Sequence, residues 1–489
     1  MQILYEDNHI IVVIKPVNVP VQGDDTGDPD MLTLLKAYIK EKYQKPGEVY
    51  LGLVHRLDRP VGGVMVFART SKAASRLMPQ FAEKNRAGAV KRYAAVTGDG
   101  VPDRGRLEGF ILRSESERRS YVVPEGTEGA KSAALDYTAV CRRDGLALLD
   151  IELHTGRHHQ IRAQLAHAGF PIRGDQKYDP EARPGLQIAL FARSLSFEHP
   201  TLHERMTFTA VPDYGLFKRF SNELRLLNAG LNCPYSDEDV IVLNKPDGVT
   251  VANADGGSDT LEARLAAAGF TCFPVHRLDA KTQGLILFAR NTGAKEALDS
   301  AIRARAIDKY YRLITCGCPP SGSGTLRLYA VKDPASGLMR VFDEPVKNSL
   351  EMITDYRVIK QSGGACLIEA RLVTGRTHQL RASFAHIGCP IIGDDKYGSR
   401  EVNRDPRFRP LLRRAPLLLA AVRLELHFEK GSCLERLNGL TLSAEAPLGC
   451  DPHLRIHAPQ RELFYAVPPP LIKNPARQSK GSGRAGSGG

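Results

Sequence analysis

The chain has 489 residues, 42% hydrophobic and 25% charged, with 67 Lys and Arg against 55 Asp and Glu and a formal net charge of +12. That length exceeds what one hydrophobic core supports, so two domains are expected. The net charge divides evenly between residues 1–225, 226–472 and 473–489, which leaves each folded portion only mildly basic: compatible with a polyanionic partner, but no proof of one.

In chain order, the opening from Met1 to Asp7 has no basic region and no apolar stretch of signal-peptide length. The longest early apolar run, Ile10 to Ile14, is far short of the roughly 20 residues a membrane span needs. No membrane association is expected, and a cytoplasmic location is. The run reads as a strand that stops at Lys15-Pro16, because proline cannot continue a central strand.

The word His55-Arg56-Leu57-Asp58 then sits in a loop that leads into an apolar strand, Val64–Ala68. Ser71 is a plausible cap for a helix with Ala73, Ala74, Leu77 and Phe81 at helical spacing. Arg92–Thr97, Leu135–Val140 and Leu146–Leu153 read as further strands. A second word, Thr155 to Arg162 (TGRHHQIR), opens a helix whose apolar face is Ile161, Leu165 and Ala168, stopped at Gly169. A third word runs from Gly174 to Tyr178. Leu216, Phe217, Phe220, Leu224 and Leu227 suggest a short amphipathic helix ending at Gly230, which places a domain boundary near residue 225.

All of this then repeats. HRLD returns at His276–Asp279, TGRTHQLR at Thr374–Arg381 and GDxKY at Gly393–Tyr397, and Val240–Leu243, Leu285–Ala289 and Tyr311–Thr315 match the strands. Three words in the same order, twice, mark a whole-domain duplication rather than a solenoid, whose units are shorter. The expected domains are 1–225 and 226–460, followed by a Pro/Gly/Ser-rich tail, 461–489, with Lys473, Arg477, Lys480 and Arg484, expected to be disordered. Strands outnumber helices and mostly follow one another, so each copy is expected to be α+β: a largely antiparallel mixed sheet flanked by helices.

Nine cysteines include one close pair, Cys316-Gly-Cys318, and no zinc-finger spacing. Reduced thiols packed as small apolar groups, and no metal site, are expected.

In each copy the HRLD carboxylate and the last arginine of the distal word form a candidate pair. An Asp beside an Arg is equipped to act as a nucleophile or base, and equally to brace a loop as an ordinary ion pair. His159 and His378 read as helix-start groups rather than as general bases.

HRLD followed by a small-residue turn, then a K-x-Y strand (Lys91-Arg92-Tyr93 and Lys309-Tyr310-Tyr311), then GRxHQxR and GDxxY, resembles the RluA-type RNA pseudouridine synthases. The resemblance runs through both copies. It implies an isomerase that breaks the N1–C1′ bond of selected uridines in structured RNA, ribosomal or transfer, turns the base and rejoins it through C5, with no cofactor and no metal. It makes Asp58 and Asp279 the catalytic carboxylates, Arg162 and Arg381 their partners, and Tyr93 and Tyr311 the aromatic faces against the base. Arg56 and Arg277 would enter the RNA, with Arg157, Arg376, Lys91 and Lys309 as further RNA contacts, in a protein expected to be a monomer. The turn after HRLD departs from the family's usual Thr-Ser-Gly, being Val61-Gly62-Gly63 in one copy and Thr282-Gln283-Gly284 in the other. Gln283 makes the second copy the more doubtful catalyst. The alternative is an RNA-binding or RNA-folding factor in which one copy, the second before the first, or both have lost catalysis. An unrelated glycosidase fits poorly, because no second acid recurs beside HRLD. The Gly-, Ser- and charge-rich stretches Arg104–Lys131 and Ser321–Lys347 are the expected source of substrate differences between copies.

Overall fold

The computed structural model describes residues 1–82, 88–252, 259–413 and 415–444. The charged tail lies outside them. Contacts divide the described chain into Met1–Ile307, joined by the segment that begins at Ala421, and Asp308–Ala420.

The first copy is one eleven-stranded sheet, and the second copy has matching elements. Its strands are β1 (Gln2–Glu6), β2 (Ile10–Lys15), β3 (Gly52–Leu53), β4 (Gly62–Ala68), β5 (Val90–Gly98), β6 (Arg104–Ser114), β7 (Arg119–Val123), β8 (Lys131–Arg143), β9 (Leu146–Leu153), β10 (Leu190–Glu198) and β11 (Arg205–Thr209). Their order in space is β1-β2-β4-β10-β5-β9-β8-β6-β7, with β3 on β4 and β11 on β10. All pairs are antiparallel except β4 with β10, which run parallel where Gly62 and Gly63 face Phe191 and Ala192. The α+β sheet inferred from the run of strands is therefore what forms.

All seven residues of β4 are buried, as a central strand requires. Helix α1 (Met31–Lys42) covers the sheet with Met31, Leu35 and Ile39, and α2 (Ser71–Phe81) with Ala73, Ala74 and Leu77. Each such Leu or Ile contributes about 1.5–3 kcal/mol by leaving water. The cap of α2 is Thr70, not Ser71. The Thr70 hydroxyl accepts the Ala73 N–H at 3.1 Å, and Ser71 is the first helical residue.

The link between copies folds as a 3-10 turn, Gly215–Phe220, followed by a helix, Ser221–Asn228, with Phe217, Phe220 and Leu224 fully buried. There Arg143, at the end of β8, donates through Nη2 to Glu223 Oε1 (2.8 Å) and to the Ser236 carbonyl (2.7 Å). This bridge ties the opening strand of the second copy to the first.

The second copy begins with β12 (Asn232–Ser236), β13 (Val240–Lys245), β14 (Phe273–Pro274) and β15 (Gln283–Ala289), in which β13 pairs with β12 and β15, and β14 with β15. In Asp308–Ala420, β16 (Ile307–Cys316), β17 (Ser323–Lys332), β18 (Met339–Phe342), β19 (Leu350–Ser362) and β20 (Ala365–Leu372) run β16-β20-β19-β17-β18. The stretches Arg104–Lys131 and Ser321–Lys347, polar by composition, are thus largely strands at the sheet margin.

The cysteine expectation fails at one place. Cys318 and Cys366 form a disulfide with Cα atoms 5.4 Å apart. The two lie 48 residues apart in sequence, and only the β16–β20 pairing brings them together.

Candidate active site

HRLD is an alternating loop. His55 turns inward, where its Nε2 accepts the Val66 N–H at 3.2 Å and its ring stacks on Phe81 at 4.7 Å. Arg56 points to solvent, Leu57 is buried and the Asp58 side chain is 25% exposed. A turn follows, with the Val61 N–H on the Asp58 carbonyl at 3.0 Å. The chain then enters β4 at Gly63, whose φ of +137° only glycine adopts readily, and where a Cβ would overlap the backbone of Ala192. Ala192 on β10 stands opposite Gly63 on one side and Tyr93 of β5 on the other. One residue of β10 thereby sets the Asp58 loop beside Tyr93. Tyr93 is 8% exposed, and burial together with the Asp58 charge pushes its phenol well above the ordinary range.

The partner of Asp58 comes from α3 (Gln160–His167). Arg162, 4% exposed, donates from Nη1 to Asp58 Oδ2 at 3.1 Å. Its Nε and Nη2 hold the two oxygens of Asp175 at 2.7 Å each. Tyr178 lies under the guanidinium, 5.2 Å from ring centre to Cζ, and its hydroxyl receives the Ser120 N–H at 2.7 Å and meets His159 Nδ1 at 3.0 Å. The GDxKY word therefore supplies the clamp that fixes Arg162. In the sequence that word marks the repeat and part of the resemblance, without a role for its aspartate.

The TGRHHQ loop braces itself. Gln160 Oε1 accepts from Thr155 Oγ1 at 2.7 Å and from the Arg157 N–H at 3.0 Å, and Thr155 Oγ1 accepts the Ala134 N–H at 2.9 Å. His159 starts the helix at φ +52°. It lies 3.6 Å from Asp58 Oδ2, too far for a hydrogen bond, and burial pulls its imidazole down to about 2, so it stands there neutral. Arg157 is half-buried, with Nε on the Ser132 carbonyl at 2.9 Å, and the Lys91 amine lies beside Gly156.

A second group went unread in the sequence. Lys15, fully buried at the end of β2 and opposite Gly63, donates to the carbonyls of Pro16 (2.9 Å), Val19 (2.6 Å) and Arg59 (3.0 Å). It grips the residue that follows Asp58. Burial pulls its amine down to about 7, with the Asp58 charge opposing. Lys245 repeats this on Pro246, Val249 and Ala280, and is pulled down to about 8. The available signal is a lysine ending a mainly apolar strand at the same place in both copies.

In the second copy, Asp279 closes the same turn with Thr282, His276 Nε2 accepts the Leu287 N–H at 3.2 Å, and Arg277 is exposed. Gln283 is only 7% exposed, a sheet residue of β15. In Asp308–Ala420, Arg381 on α4 (Gln379–His386) is clamped by Asp394 at 2.8 and 2.7 Å, with Asp395 at 3.4 Å and Tyr397 beneath it at 5.6 Å. Tyr311 is 6% exposed, burial lowers the Lys309 amine, and Arg376 is exposed with Nε on the Glu351 carbonyl at 3.3 Å.

An acid held by an arginine that is itself held rigid, next to a buried phenol and a solvent-facing arginine, can orient a ligand and attack it or take its proton.

The profile of the RNA pseudouridylate synthase family matches residues 9–167 and 239–386. Ribosomal large subunit pseudouridine synthase C of Rickettsia conorii is 35% identical over 246 residues, covering 50% of this chain and 74% of that protein. Ribosomal large subunit pseudouridine synthase D of Neisseria meningitidis serogroup A is 35% identical over 258 residues, 49% of this chain and 65% of that protein. Among solved structures, Human RNA Pseudouridylate Synthase Domain Containing 4 aligns at 24% identity and a TM-score of 0.37, covering 47% of this chain and 94% of its own. With both matched segments in place, the chain belongs to the RNA pseudouridylate synthases, a family of isomerases, and carries the family's segment twice in tandem.

Proposed function

We propose that both copies isomerise specific uridines in structured RNA, with Asp58 and Asp279 as the acting carboxylates. The Asp58–Arg162–Asp175 chain of contacts carries this reading: a structural ion pair needs no second carboxylate to aim the guanidinium, whereas a reacting carboxylate needs a fixed partner. A uridine must leave its stack to expose C1′ and C5, at a cost of a few kcal/mol. Tyr93 and Tyr311 offer the face that receives it, and the exposed Arg56 and Arg277 fill the RNA where it stood. Arg157, Arg376, Lys91 and Lys309 take the flanking phosphates. Ribosomal RNA of the large subunit is the favoured substrate, on the names of the two relatives, with transfer RNA the other class.

The test is to map pseudouridines in RNA from cells whose protein carries Asp58→Ala, Asp279→Ala or both. Loss of distinct positions in the two single variants is expected. Loss under Asp58→Ala alone assigns the second copy to RNA binding, a reading that the buried Gln283 beside its loop favours. Loss in none sinks the proposal.

A further inference from the structure

Four cysteines converge where β16 ends. Cys318 is bonded to Cys366. Cys316 is a free thiol whose N–H donates to the Pro390 carbonyl at 2.9 Å, and the free Cys389 has its Sγ 3.9 Å from where a Cβ on Gly317 would lie. The first copy has none of them. Its register pairs Thr97 with Ala147 where the second pairs Thr315 with Cys366, and Gly98, Gly100 and Phe170 stand at the positions of Cys316, Cys318 and Cys389.

The disulfide closes the base of the excursion that forms β17, β18 and β19, and this excursion supports the arginine clamp. Met339 N–H donates to the Tyr397 hydroxyl at 2.8 Å. The Glu351 carbonyl accepts from Arg376, and the Ile353 N–H donates to Thr374 Oγ1 at 2.8 Å. The second copy adds His386 Nε2 against Asp343 Oδ1 at 3.0 Å, and the matching excursion of the first copy is tied by other contacts. His158 Nδ1 meets Ser120 Oγ at 2.9 Å, Gln164 Nε2 donates to the Leu107 carbonyl at 3.1 Å, and Lys177 Nζ to that of Arg118 at 2.6 Å. Thr377 and Ser383 occupy the first two of these positions in the second copy, and their side chains are too short for that reach.

We propose that Cys318–Cys366 is a thiol–disulfide exchange site that stiffens the Tyr397–Arg381 cluster of the second copy and leaves the first copy unregulated. The co-reactant is an external dithiol. Its first thiolate attacks Sγ of Cys318, a half-buried residue where Cys366 is fully buried, breaking the S–S bond and releasing the Cys366 thiolate, which takes up a proton. The second thiol of the reductant then attacks its own sulfur in the mixed disulfide and releases Cys318. Two protein thiols and one oxidised reductant result, and the same class in its disulfide form reverses the step. Burial keeps Cys316 and Cys389 protonated, the latter pushed up to about 11, so neither competes as a nucleophile.

The test uses the full chain. Peptide mapping without reductant, after incubation with an oxidised dithiol, is expected to recover Cys318 linked to Cys366. On reduction, amide exchange in residues 338–342 and 395–398 is expected to accelerate by at least about tenfold, as a local opening made easier. The change, which rests on the proposed activity, is expected to lower modification of the uridine assigned to Asp279 by about tenfold and that assigned to Asp58 by less than about twofold. Cys366→Ala, the residue the first copy carries, should hold the reduced behaviour whatever the reductant. If exchange accelerates while Asp279→Ala removes no uridine, the switch stands and the activity of the second copy falls. Failure to recover the linked pair, unchanged exchange on reduction, or one zinc ion held per reduced chain through these cysteines overturns the switch.

Discussion

Asp175 holds Arg162 by two bonds of 2.7 Å, so that Nη1 alone remains to reach Asp58 at 3.1 Å. Both partners are almost wholly buried. The arginine is thus oriented before any ligand arrives, and the residue doing the orienting comes from the GDxKY word.

Asp175→Asn leaves Asp58 in place but unbalances the buried clamp. A loss of about 1.5–3 kcal/mol is expected in urea unfolding, because Arg162 keeps Asp58 but its bonds to residue 175 lose their charge. Modification of the first-copy uridine should fall by roughly 10²-fold, because a guanidinium displaced by about 1 Å no longer aims at Asp58. Undiminished activity would remove Asp175 from the site.

Gly63→Ala asks β4 to place a Cβ inside the backbone of Ala192 at a φ of +137°. A loss of more than about 2 kcal/mol is expected, against about 0.5 kcal/mol or less for Gly100→Ala, whose Cβ meets open space. Thermal unfolding of the two variants side by side decides it.

Lys15→Met leaves the carbonyls of Pro16, Val19 and Arg59 without their ammonium. A cost of about 1–3 kcal/mol is expected, with a drop in first-copy turnover larger than any change in RNA affinity, since the Arg59 carbonyl follows Asp58 directly. Lys245→Met should do the same to the second copy alone. Equal loss of both modifications in either variant would mean general unfolding instead.

Acid should weaken the fold before any carboxylate titrates. Burial pulls His55 down to about 3 and His159 to about 2, against an ordinary 6.5. The unfolded chain therefore takes up protons below pH 6.5 that the folded chain refuses, so the stability is fully present above 6.5 and is lost as pH falls. The expected slope is at most about 1.4 kcal/mol per pH unit for each histidine. Urea unfolding between pH 6.5 and 5 measures it, and His55→Asn with His159→Asn should flatten it.

What the sequence alone determined was whatever is local or repeated. The duplication, the strands from Ile10 to Leu153 and the helix after TGRHHQ were legible because apolar period and turn residues act within a few positions. Asp58 and Arg162 were legible as members of repeated words, and Tyr93 through the family resemblance. The tertiary structure decided what depends on register. The parallel meeting of β4 and β10 at Gly63 and Ala192 brings Asp58 to Tyr93. The packing of α3 turns Arg162 toward two carboxylates, and the pairing of β16 with β20 sets Cys318 against Cys366. Lys15 shows the limit most plainly: next to Pro16 it reads as the end of a strand, and only the fold brings a third carbonyl, that of Arg59, from 44 residues away to its ammonium. Pairing across such distances follows from which faces must be buried together, and no window of neighbouring residues contains that information.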